Sequence, residues 1–130
     1  MERFFKSGPG WRLGWNAITE SGAQGAIAPI YHGLVGSDEW AIELTGDEFR
    51  DFSRLAIQLK NTMIQMETEL MDQEKITCVA ETDLLWLEAD GYPQSYSLHI
   101  ILQQGRRGEG SWSPEAVSEL LQALETLTIF

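Results

Sequence analysis

A single cysteine, Cys78, stands in the 130 residues, so no intrachain disulfide can form and no multi-cysteine zinc or iron–sulfur site can be built within one chain. Such sparing use of cysteine suits a reducing, cytoplasmic setting. Cations are scarce as well: nine Lys and Arg face twenty Asp and Glu, a formal net charge of −11. Duplex DNA and anionic membranes are both gripped by clustered Lys and Arg, so neither is expected as a partner of this acidic chain. Long apolar runs are missing too, each being broken by charge or glycine well short of the ~20 residues that cross a bilayer. The opening residues Met1 to Gly8 carry an acid and reach a glycine before a signal-peptide core could form, so secretion is not expected. The two histidines, His32 and His99, have no nucleophile motif beside them, and the Gly-x-x-x-x-Gly-Lys phosphate loop is absent. No residue is singled out as catalytic, and no metal or cofactor is expected.

What is present is enough for one ordinary α+β domain spanning residues 1–130, with a hydrophobic fraction of 43% and a charged fraction of 22%. The acidity is uneven. Residues 38 to 90 hold fourteen acids against Arg50, Arg54, Lys60 and Lys75, whereas both ends of the chain are nearly neutral.

Alternation of large apolar with polar or small residues predicts a strand over Trp11 to Asn16, with Trp11, Leu13 and Trp15 on one face. A second strand is expected from Ala26 to Val35, bent or placed at an edge by Pro29, and a third from Trp40 to Leu44. Thr45 and Glu48 then fit a capping box, with Leu44 and Phe49 placed as its hydrophobic staple. Phe49, Phe52, Ala56, Leu59, Met63, Met66 and Leu70 follow at spacings of three and four, which predicts one helix from about Asp47 to Asp72. Ile57, Ile64 and Met71 recur every seven residues about 100° around its axis, a second apolar stripe that needs its own cover. That cover is either the chain's own second half or another subunit.

Strands are expected again over Ile76 to Glu81, Leu84 to Asp90 and Tyr96 to Gln103, joined at Thr82-Asp83 and Gly91-Tyr92-Pro93. Ser113 as N-cap and Pro114 at the first helical position open a last helix whose buried stripe is Val117, Leu120, Leu121, Leu124 and Leu127. The chain therefore reads as strands then a long helix, repeated as strands then a shorter helix, in one intertwined unit.

Several blocks carry a family resemblance: Trp11-Arg12-Leu13-Gly14-Trp15, Trp40-Ala41-Ile42-Glu43-Leu44-Thr45, Glu69-Leu70-Met71, Leu84-Leu85-Trp86-Leu87-Glu88, Gly91-Tyr92-Pro93 and Gly105-Arg106-Arg107-Gly108-Glu109-Gly110. In this order they resemble the small cyanobacterial family called domain of unknown function 1818. The resemblance implies the single-stranded-DNA-binding transcriptional regulator fold of Whirly and Pur-alpha proteins, in which sheets embrace paired helices. Those relatives pair two similar units, which would give the second helix stripe a homodimeric partner. It implies no activity.

Two surfaces are candidates for function. Trp11, Arg12, Trp15, Arg106, Arg107 and Trp112 mix basic side chains with stacking rings, the chemistry that single-stranded nucleic acid requires, provided the rings are exposed. Ile57, Ile64 and Met71 offer an apolar interface to a second copy or another protein. Glu81, Glu88 and Asp90 can stand near one another across paired strands, an arrangement that binds a hard cation or performs acid–base work, but a solvated sheet face is the favoured reading. The leading expectation is a non-enzymatic binding or interaction protein, with single-stranded nucleic-acid binding as the alternative.

Overall fold

The computed structural model describes residues 3–16, 30–69 and 74–127, and their order is four strands, a helix, four strands and a helix. Strands β1 (Arg3–Gly8), β2 (Trp11–Asn16), β3 (Gly33–Gly36) and β4 (Ala41–Leu44) form one antiparallel sheet in chain order. Helix α1 (Gly46–Glu67) leads to a second antiparallel sheet of β5 (Ile76–Glu81), β6 (Leu85–Tyr92), β7 (Ser95–Leu102) and β8 (Glu109–Trp112), and α2 (Pro114–Glu125) follows. This is the expected α+β arrangement.

Each helix touches both sheets: α1 packs on β5 and β6 and reaches β3 and β4, while α2 packs on β7, β1 and β2 and meets α1. One core results, drawn from both halves. Trp11, Leu13 and Trp15 contribute from β2, Phe52, Leu59 and Met63 from α1, Leu87 and Leu98 from the second sheet, and Leu120 and Leu124 from α2. Burying a side chain such as Phe52 or Leu59 stabilises the fold by about 1.5 to 3 kcal/mol relative to leaving it in water.

The start of α1 follows from the capping box. The Thr45 hydroxyl accepts the Glu48 N–H at 3.1 Å and the Glu48 carboxylate accepts the Thr45 N–H at 2.9 Å, satisfying two amides that the first helical turn leaves unpaired. Thr45→Ala is therefore expected to cost about 1 kcal/mol. A thermal melt followed by circular dichroism that does not move would refute the role of this cap.

Four elements and one turn differ from the sequence reading. Helix α1 ends at Glu67 rather than Asp72, where the Thr68 hydroxyl donates to the Gln65 carbonyl at 2.9 Å and takes up one of the last free acceptors; the expected final turn at 70–72 lies outside the described residues. The strand expected from Ala26 begins only at Gly33; residues 30–32 are not in strand, and residues 26–29 again lie outside the described set. Strands β1 and β8 have no clear signature in the sequence pattern. In β1 the adjacent Phe4 and Phe5 blur the alternation, and the strand is nowhere fully buried. In β8 a glycine sits where a strand-former would be expected, because a Cβ on Gly110 would lie 2.5 Å from the Trp40 ring. The turn expected at Gly91-Tyr92-Pro93 is a tighter one at Pro93-Gln94, with Tyr92 paired to Ser95.

Candidate functional site

Of the six basic and aromatic candidates, the three tryptophans are buried, Arg12 and Arg106 are half-buried, and Arg107 is exposed. Trp11 and Trp15 are each 6% exposed and Trp112 only 1%, so none presents a free ring face. Trp11 donates its indole N–H to Glu119 at 3.2 Å, and Trp15 packs against Phe49 and His32. Trp112 stands between Trp40 and Phe52, with ring centroids 4.8 and 5.4 Å away. Base stacking requires an exposed ring, and these three lack one.

Two of the three arginines, Arg12 and Arg106, are committed to groups of this chain. Arg12 donates to the Ser37 carbonyl at 2.7 Å and the Trp40 carbonyl at 2.8 Å, which ties β2 to the turn between β3 and β4. Arg106 donates to the Glu43 carbonyl at 2.9 Å and to the buried Glu48 carboxylate at 2.8 Å, and its guanidinium lies 4.6 Å from the centre of the Tyr31 ring. The Glu48 carboxylate thus serves twice, capping α1 and anchoring the loop between β7 and β8. Partial burial pulls the Arg106 pKa downward, but the hydrogen bond and charge of Glu48, followed by Tyr31, outweigh it and hold the group above its ordinary value. Arg107 is exposed on the same loop.

The second helix stripe has a different fate. Ile57 is half-buried, Ile64 is 52% exposed, and Met71 lies outside the described residues. Ile64 borders a cavity of about 200 Å³ between α1, α2 and the turn joining β6 to β7, lined also by Lys60, Pro93, Tyr96, Val117 and Leu121. The Lys60–Glu125 ion pair ties the two helices together. Tyr96 is nearly buried here, and desolvation, helped by the charge of Glu125, raises its phenol above the ordinary value. Val117, Leu121 and Tyr96 are already core residues, so the groove is an opening into the core with Ile64 at its mouth.

On the second sheet, His99 lies on the outer surface, where its ring nitrogens engage the Ser111 hydroxyl and, at 3.0 Å, the Glu109 carboxylate. Sequence separation hides this trio, because only the β7–β8 register places Ser111 opposite His99. The order of hydroxyl, imidazole and carboxylate is that of a nucleophile relay, but catalysis would also need donors fixed around a developing oxyanion. Cys78 is half-buried against the core, as its place in an alternating strand suggests. Glu81, Glu88 and Asp90 do share one face, and no group of three or more His, Cys, Asp or Glu side chains among the described residues is placed to hold a metal.

The family described as domain of unknown function (DUF1818) matches residues 6–127. Among solved structures the chain is similar to a protein with unknown function from the DUF155 family of Prochlorococcus sp. NATL2A, with a TM-score of 0.82 and 23% identity over 95% of this chain and 97% of that one. At this identity the likeness shows the fold. No curated protein matches the chain.

Proposed function

The chain belongs to the family described as domain of unknown function (DUF1818), and within it we propose a non-enzymatic binding protein of the cytosol that docks a second copy of itself in the groove between α1 and α2. The observation that carries this reading is Ile64, a large apolar side chain 52% exposed at the mouth of a groove whose floor is core. An exposed apolar residue alone is ordinary; one continuous with buried Tyr96, Val117 and Leu121 gives a partner's side chain a place to become fully desolvated. The unpaired Cys78 suits a reducing compartment. Among the described residues, no helix is long and apolar enough to cross a membrane. The order of strands and helices supports the likeness to the Whirly and Pur-alpha fold, whose members associate as paired units.

The test is Ile64→Glu. Half its surface already meets water, so the substitution is expected to leave the circular dichroism spectrum unchanged. In sedimentation velocity the wild-type protein should run as a dimer at micromolar concentration and the variant as a monomer, because a carboxylate would be carried into a desolvated contact. A wild-type protein that is monomeric across that range, or a variant that remains dimeric, would overturn the reading.

A further inference from the structure

The outer face of the second sheet has a composition that water alone does not explain. Strand register sets three cross-strand rows on it: Thr77, Asp90 and Ser97; Val79, Glu88, His99 and Ser111; Glu81, Trp86, Ile101 and Glu109. Trp86 and Ile101 are directly paired neighbours, only half-buried and outside the core, and Val79 is 48% exposed. Aromatic and β-branched pairs of this kind stabilise a sheet, but their free faces remain in solvent. Around them stand four carboxylates, Glu81, Glu88, Asp90 and Glu109.

Little on the chain answers those charges. Lys75 approaches Asp90 at 3.6 Å, and His99 contacts Glu109. The Thr77 hydroxyl at 2.6 Å is the main influence holding the Asp90 carboxyl below its ordinary value, against slight desolvation and with help from Lys75, so this group stays ionised. Gln103 donates to Glu81 at 3.3 Å, which leaves its charge intact. The Glu88 carboxylate, between Val79 and His99 at the centre of the face, has no hydrogen bond or ion pair among the described residues.

We propose that this face docks a cationic protein segment in which Lys or Arg side chains alternate with apolar ones, the apolar groups meeting Val79, Trp86 and Ile101 and the cations meeting the surrounding carboxylates. Charge decides among occupants. A second copy using the same face would set each carboxylate row against its own kind, since a two-fold contact brings identical patches together. Nucleic acid and anionic lipid are repelled by the same sign. The surplus of acid in residues 38 to 90 steers a cationic partner toward the molecule, and the apolar centre supplies contact that salt does not screen. This surface lies across the sheet from the helices, so its test is independent of the groove at Ile64.

The probe is a short synthetic peptide alternating lysine with valine, titrated into the full-length protein and followed by amide chemical shifts and calorimetry. Shifts are expected to cluster on β5, β6 and β7. Glu88→Lys and Trp86→Ser should each weaken binding about tenfold or more, the first by charge and the second by apolar contact. Glu67→Lys makes the same change in net charge at the exposed end of α1 and should weaken binding less than about twofold, because α1 packs on the opposite side of the sheet and the charge is screened. The proposal is overturned if Glu67→Lys and Glu88→Lys are equally harmful, if Trp86→Ser has no effect, or if the peptide does not bind. Shifts on this face that depend on protein concentration without peptide would identify a second copy as occupant and overturn it equally.

Discussion

Replacing Trp112 with alanine is expected to lower the free energy of unfolding by about 3 to 5 kcal/mol. The residue closes the second sheet, is 1% exposed, and places its ring against Trp40 from the first sheet and Phe52 from α1. Its indole N–H also donates to the Gly36 carbonyl at 2.7 Å, reaching across 76 positions of sequence. Truncation would therefore open a cavity where the two halves meet and strip a buried carbonyl of its donor, each a separate cost. Trp112→Phe keeps much of the ring and removes the donor, so it should cost less, about 1 to 3 kcal/mol. Against a total stability on the order of 5 to 15 kcal/mol, the alanine variant should melt at much lower urea concentration, with the phenylalanine variant between it and the parent. Equal midpoints for the two variants would show that the hydrogen bond outweighs the cavity and would refute this ranking of the two costs.

The same residue shows what the sequence can and cannot express. Trp112 stands five residues before Val117, the spacing of a hydrophobic staple at the start of α2, and that much is visible along the chain. Its contacts with Trp40 and Gly36 depend on how two sheets are laid together, and no local pattern encodes them. The capping box at Thr45 and Glu48, the α1 seam through Phe49, Phe52, Ala56, Leu59 and Met63, and proline at the start of α2 are legible for the same reason: each is settled within a turn or two. Strand β1 is obscured because it is an edge strand with little burial contrast, and β8 because Gly110 answers to the Trp40 ring rather than to strand propensity.

The candidate site was legible in its ingredients and not in its arrangement. Arg12 and Arg106 look free in sequence because backbone carbonyls leave no mark on it and Glu48, the charged partner of Arg106, stands 58 positions away. Trp11 and Trp15 share an alternating face with Leu13, and burial of all three is the outcome that such a face favours when helices cover it. Trp86 carried no functional reading, although its pairing with Ile101 on the outer face makes it the more accessible aromatic.

Arg106→Met should destabilise the protein by about 3 kcal/mol, near the lower limit for breaking a buried ion pair, since the arginine side chain is 31% exposed while that of Glu48 is only 3%. The loss comes chiefly from Glu48, whose carboxylate would keep the Thr45 N–H but lose its only counter-charge among the described residues. Glu48→Gln tests this directly: glutamine can still complete the capping box, yet it carries no charge to be stranded. In a double-mutant cycle followed by urea unfolding, Arg106→Met in the Glu48→Gln background should cost much less than in the parent, giving a coupling of about 1 to 3 kcal/mol. Additive losses, or a single-variant cost below about 1 kcal/mol, would place the pair with ordinary surface ion pairs. The loop between β7 and β8 would then be held chiefly to the Glu43 carbonyl of β4 and the Tyr31 ring ahead of β3, and the raised arginine pKa would carry no structural weight.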